Sequence, residues 1–340
     1  MPNQKPEPGN GAAVRLRERL AATPPPALGR RVRLLRGTLR TALGMANFVH
    51  RVTGGAAGTG VADDAVGLDA AHGPVVSRDD APLLFSLLEH LDRKMGGVRP
   101  QEVRLGALPA CAAADLPPEA GGGQALLLGL PCLSAWTVDE FSAVVAHELA
   151  HLKLEDAAFT RQALRTSQRL RGARGPRQLL GRWSGRAAAR VCRELELRAD
   201  RWAATVCRPA VLRSALEKLE VAKPLFLALL EDFDGEPADA NVFAAFAKTW
   251  DGLSPERIAG LAAKFSRGEA ADPLDLHPPL AARLAALREL EAADPAPPAR
   301  SAPATALLKD AGVFARMLHS RLYRGSGSAK SSVFFPESEG

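Results

Sequence analysis

"VDEFSAVVAHELAHLKLED", residues 138–156, carries two of the chain's seven histidines, His147 and His151, with Glu148 directly after the first. Thr137, just ahead of it, and Glu140 within it make the Ser/Thr-x-x-Glu pattern of a capping box, so a helix is expected to start at 138. Helical register puts Phe141, Val144, Val145, Leu149 and Leu152 on the inward face. His147 and His151, at i and i+4, then lie on one face a turn apart. Two imidazoles so placed can reach one metal ion from a rigid support. Glu148 sits about 100° further round a 3.6-residue helix. There it flanks the ion and can take a proton from an attacking water. This is the HExxH arrangement of zinc sites.

A hydrolytic zinc needs a third protein ligand and one open position. Downstream, "CRELELRADRWAA" (192–204) also reads as a helix, with Glu196 and Asp200 four residues apart on one face. Glu196 can supply the oxygen ligand. Asp200 can accept an N–H from a ligating histidine, fixing its tautomer and raising its basicity. Glu194, two residues away on another face, is the alternative ligand. A third segment, "DPLDLHPPLAARLAAL" (272–287), puts His277 before two prolines that open a helix, with Arg283 further along it. In a metallohydrolase, a positioned His or Arg can stabilise a developing oxyanion.

Around these motifs the chain reads as one sizeable folded domain with basic flanks. At 340 residues, with 46% hydrophobic and 24% charged residues, it can bury a substantial core. Residues 1–60 read as a basic, Pro/Gly-rich and largely disordered region. Within it, 31–51 could form a basic amphipathic helix. "GGAAGTG" (54–60) lacks the Lys-Ser/Thr of a phosphate loop and reads as a linker. The domain spans 61–291. "DAPLLFSLLEHLDRKM" (80–95) is expected as a helix capped by Asp80, with Pro82 in its first turn and His90 as a structural or surface histidine. "EVRLGAL" and "QALLLGLPCL" (124–133) are the strand candidates. From 138 onward the expected helices are 138–154, 159–171, 178–206, 209–231, 239–250, 255–266 and 278–291. Residues 292–340 read as a linker, a last amphipathic helix over about 305–323 and a polar tail. The fold class is therefore α+β and mostly helical, with a small sheet ahead of the HExxH helix.

Charge is unevenly spread over a net +6. Residues 1–51 hold ten Lys/Arg against two Glu, and residues 157–193 hold ten Arg and no acid. Arg161, Arg165 and Arg169 recur at helical spacing, as do Arg182, Arg186 and Arg190. Such stripes are a solvated helix face or a surface for anionic lipid. No nucleic-acid motif accompanies them, so nucleic acid is not the expected partner. The four cysteines form no CxxC pair and read as free thiols. No secretory h-region and no run of 18 apolar residues is present, so a soluble, cytoplasmic chain is expected.

HExxH, then ExxxAD about 45 residues on, then the His-Pro-Pro…Arg helix start resembles the HtpX-like and CAAX prenyl endopeptidase family of zinc metallopeptidases. The resemblance runs over about residues 74–291. It implies a gluzincin (zincin-like) fold and one zinc ion held by His147, His151 and Glu196. Glu148 would be the base, Asp200 would support a ligating histidine, and His277 and Arg283 would lie near the substrate. It implies a metalloendopeptidase acting on peptide or protein substrates, with an extended peptide lying along "QALLLGLPCL" as an edge strand. Many members cross the membrane several times, whereas this chain has no candidate span and is Arg-rich between the motifs. Peripheral contact with an anionic membrane, at its inner face, is the corresponding expectation here. The rival reading is a catalytically silent, zinc-stabilised scaffold that binds anionic surfaces through its Arg-rich helices.

Overall fold

A computed structural model describes residues 73–115, 123–154, 176–233, 241–268, 275–292 and 302–324, together with the helical residues Arg33, Leu35 and Arg36. The remainder of the helix expected over 31–51, the linker at 54–60, the helix at 159–171 and the polar tail lie outside these residues.

Three short strands form one sheet: β1 (Glu102–Gly106), β2 (Cys111–Asp115) and β3 (Gln124–Gly129), in the order β1-β3-β2. β3 pairs parallel with β1 and antiparallel with β2. Leu126, Leu127 and Leu128 are buried although they alternate between the faces of the sheet. A continuous apolar run of this kind marks a strand covered on both sides. The expectation that this strand is the sheet's edge is therefore corrected: β3 is central, and the edge beside the HExxH helix is β2. The strand is also shorter than expected. After Gly129 the chain turns into α2 (Leu130–Ala135), whose first turn accommodates Pro131.

Gly129 is required by a close approach. A Cβ there would stand 2.1 Å from the Leu108 carbonyl oxygen and 2.7 Å from that of Ala110. Its own N–H donates to Ala110 O at 2.7 Å, fixing the loop that leads into β2.

α1 (Pro82–Met95) buries Leu84, Leu88, Leu91 and Met95 in the main core. Its cap differs from expectation. Ala81 holds the cap position and no side chain caps the helix. Asp80 falls one residue early, and its carboxylate is taken by the Ser77 hydroxyl in the preceding turn. His90 is exposed on this helix.

α3 (Val138–Lys153) is the central helix. Its capping box forms as the sequence predicts: the Glu140 N–H donates to Thr137 Oγ1 at 3.3 Å, and the Thr137 N–H donates to Glu140 Oε2 at 2.8 Å. Phe141, Val144, Val145, Leu149 and Leu152 are all buried, and so are Ala143, Ala146 and Ala150 on the other sides. A helix covered nearly all round is a core helix. Its neighbours are β2, α4 (Pro176–Val206) and α5 (Pro209–Asp232). Glu140 also accepts from Ser214 Oγ at 2.6 Å and Lys218 Nζ at 2.7 Å, so the cap doubles as the joint to α5. The Trp136 indole N–H donates to Ala215 O at 3.0 Å beside it.

Of the remaining helices, α6 (Val242–Asp251), α7 (Pro255–Gly268) and α8 (Leu280–Glu291) pack on α5, and α9 (Ala311–Arg324) packs on α6, with a 3₁₀ turn at Ala304–Leu307 ahead of it. That turn and α9 belong to the main core, since Ala304, Leu307, Leu308, Phe314 and Leu318 are buried in it. A second, smaller cluster lines α4 from Ala187 to Leu195, with Leu276 and, at its border, Leu35. The architecture is mostly helical with a small sheet, an α+β fold.

Because the atoms facing Gly129 are backbone carbonyls that cannot rotate away, Gly129→Ala should destabilise the domain by about 2 kcal/mol, read as a lowered urea midpoint at unchanged slope.

Candidate metal centre

Two long helices build the site. α3 presents His147 and His151, one turn apart, and α4 presents Glu196 and Asp200, also one turn apart. His147, Glu196 and Asp200 are buried, Asp200 at 1% exposure. The two Nε2 atoms lie 3.1 Å apart. His151 Nε2 is 3.2 Å from Glu196 Oε1, and His147 Nε2 is 3.5 Å from Glu196 Oε2. One donor atom from each of the three residues falls within 4.8 Å of the others. Ligands about 2.0–2.1 Å from a tetrahedral zinc stand about 3.3 Å from one another. The observed separations, taken to the two carboxylate oxygens, are of that order, so the three residues could hold a metal ion. Glu194 is not part of it. Its carboxylate faces Arg201 at 3.8 Å and is 36% exposed.

Behind the donors runs a line of buried charge. His147 Nδ1 lies 2.9 Å from Asp200 Oδ1, a close charge contact at an angle outside hydrogen-bond alignment. On its far side Asp200 receives both prongs of Arg283 from α8, Nε to Oδ2 at 2.8 Å and Nη2 to Oδ1 at 2.7 Å. Burial alone would raise the Asp200 pKa, but the Arg283 charge and its hydrogen bonds outweigh it and hold the carboxyl at about 2. Burial likewise pushes the His147 imidazole down, and the Asp200 charge more than reverses this. Burial would also raise Glu196, yet its contacts with His147, His151 and His277 hold it well below the usual carboxylate range. The site is thus built to keep both carboxylates ionised. A proton on His147 Nε2 must leave before that atom can serve a metal.

Glu148 is half-buried on the side of α3 facing the sheet. Its Oε2 accepts the Ala113 N–H at 2.9 Å, from the edge strand β2. Sequence reasoning missed this contact for a physical reason. The Ala-rich β2 has none of the β-branched residues that announce a strand, and a backbone donor leaves no mark in the sequence.

His277 and Arg283 both reach the cluster. His277 Nδ1 is 3.4 Å from Glu196 Oε2, and its ring is 67% exposed. Its backbone is set by the segment before α8: the His277 N–H donates to Asp275 Oδ1 at 3.0 Å, while Arg193 of α4 donates to Asp275 O at 3.0 Å. Arg283 is half-buried, and its Nη1 lies 3.8 Å from Glu196 Oε2.

A buried imidazole, a half-buried one and a carboxylate converge from paired helices, with a further carboxylate beside them, in an arrangement that could hold a metal ion. The model of peptidase family M48 matches residues 125–291, from β3 through α8, and includes every residue of the centre except Ala113. The match supports a metallopeptidase of that family. No curated protein and no solved structure matches the chain.

Arg283→Met should leave Asp200 buried without its partner. A loss of about 3 kcal/mol is expected, measured by thermal or urea unfolding of the metal-free protein. The deficit should be present at pH 7 and shrink as pH falls below 4 toward 2. A carboxyl depressed in the folded state contributes stability above its unfolded pKa, and that contribution disappears as pH drops through the folded value.

Proposed function

We propose that the protein is a zinc-dependent endopeptidase of the HtpX-like and CAAX prenyl endopeptidase type, in which His147, His151 and Glu196 hold the ion. The observation that carries this is the convergence of the two Nε2 atoms and the Glu196 carboxylate at the spacing of a tetrahedral ligand set. The ion would supply Lewis acidity for the scissile carbonyl and an acidified water.

The chain's own groups do the rest. Glu148 takes the water's proton at a carboxylate oxygen and returns it to the leaving amine. Asp200, itself clamped by Arg283, fixes the ring of His147 and raises its basicity. His277, exposed on the open side of Glu196, offers a ring nitrogen to the tetrahedral oxyanion. Arg283 adds positive charge from behind, through the one guanidinium nitrogen not engaged with Asp200. The substrate is a peptide or protein segment in extended form. The strand available to it by β-addition is β2, the sheet's edge next to α3. Four free cysteines fit a reducing compartment, as expected of a cytoplasmic chain. Among the described residues no helix is long and apolar enough to cross a membrane. A purely structural zinc site would have no use for Glu148 and would close its fourth position.

Two variants separate the roles. Glu196→Ala should lose most of about one zinc per chain, while Glu194→Ala keeps it; zinc lost from Glu194→Ala alone would overturn the ligand assignment. Glu148→Gln should keep zinc and fold yet lose hydrolysis on the order of 10³-fold or more. Undiminished cleavage by Glu148→Gln with its metal in place would remove that residue from the mechanism.

A further inference from the structure

The N-terminal half of α4 takes no part in the metal centre, yet it carries an unusual outward face. Trp183 is 59% exposed, the most exposed of the four tryptophans. Arg186 and Arg190, three and seven residues on, are also exposed, and neither makes an ion pair with any described residue. At 100° per residue these three side chains fall on one stripe of the helix. The opposite side of the same stretch is buried: Ala188, Ala189, Val191, Cys192 and Leu195 form the small second core with Leu276. This half-helix is therefore seated on the protein by one face and holds outward on the other a tryptophan and two arginines that form no ion pair among the described residues. Leu35 packs at the border of the same core, two residues from the exposed Arg33.

We propose that the Trp183–Arg186–Arg190 face docks on the surface of an anionic lipid bilayer. An exposed indole is amphipathic and settles at the headgroup level, and arginines beside it neutralise lipid phosphates and carboxylates. The partner is matched by charge and by the apolar ring together. A solvated basic face has no need of an exposed tryptophan at its centre. Resting on the peptidase reading, the geometry also sets a substrate class. Glu196 lies thirteen residues along α4 from Trp183, about 20 Å at 1.5 Å per residue. The face that docks is not the one that bears Glu196. With α4 lying along the bilayer by this face, the centre stands about 20 Å along the helix from the tryptophan and on the side turned away from the lipid, open to extended segments that emerge next to the bilayer.

Co-sedimentation of the full chain with phosphatidylglycerol vesicles, against phosphatidylcholine vesicles, tests this. Binding should appear only with the anionic vesicles and weaken steeply above about 0.15 M salt. It should be accompanied by a blue shift of tryptophan emission that is absent in Trp183→Phe. Arg186→Glu/Arg190→Glu should lower vesicle affinity on the order of 30-fold or more. Cleavage of soluble casein, where Trp183, Arg186 and Arg190 have no role, should be unchanged in these variants. Equal binding by wild type and the double variant would overturn the proposal, because it would assign attachment to the N-terminal segment alone. No binding at low salt, or binding to duplex DNA tighter than to vesicles, would overturn it as well. If wild type binds vesicles but cleaves nothing, the docking surface stands and the peptidase reading falls.

Discussion

The Asp200 carboxylate is the point on which the structure turns. It is almost wholly buried, ionised, and shared between His147 of α3 and Arg283 of α8, while it belongs to α4 itself. A buried charge is tolerated only when it is paired. Here the pairing demands that three helices from distant parts of the chain meet at one place and in one register. Once they do, the His147 ring is turned so that Nε2 faces His151 and Glu196. The capping box at Thr137–Glu140 fixes the other end of α3 against α5 through Ser214 and Lys218. Both ends of the central helix are thus held by polar contacts at defined geometry, and apolar burial fills the space between.

This arrangement separates positioning from chemistry. Behind the donors, Asp200 is almost wholly buried and takes both prongs of Arg283. Groups on the open side are half-free: His277 is largely exposed, and Glu148 makes one backbone hydrogen bond to β2. A site that must bind, turn over and release substrate needs that asymmetry. The edge strand sits on the same side, so a peptide added to β2 would run past Glu148.

Much of this was legible in the sequence because it rests on helical periodicity and short-range chemistry. The Thr137–Glu140 cap, the buried face of α3, and the shared faces of His147/His151 and Glu196/Asp200 follow from spacing alone, and the described helices between 138 and 291 were found to within about three residues, while the last helix starts later than expected, after a 3₁₀ turn. What was not legible depends on tertiary pairing. The sheet order cannot be read from "QALLLGLPCL", although its unbroken run of leucines already argued for a central strand. β2 was missed because alanine carries no strand signal. Asp80 looked like a cap, but Ser77 had first claim on its carboxylate. Arg283 was picked out as a group near substrate; its fork onto Asp200 lies 83 residues away in sequence and leaves no periodic trace.

The central claim is that the three donors hold a metal that the chain uses to hydrolyse peptide bonds. The most direct measurement is cleavage of an unstructured protein such as casein by the purified full chain, followed alongside its zinc content, before and after a chelator and after zinc is restored. The account predicts cleavage that disappears with the metal and returns with it, at about one ion per chain. Cleavage that persists at full rate in metal-free protein would contradict it, and so would a fully zinc-loaded chain that cleaves no peptide at all.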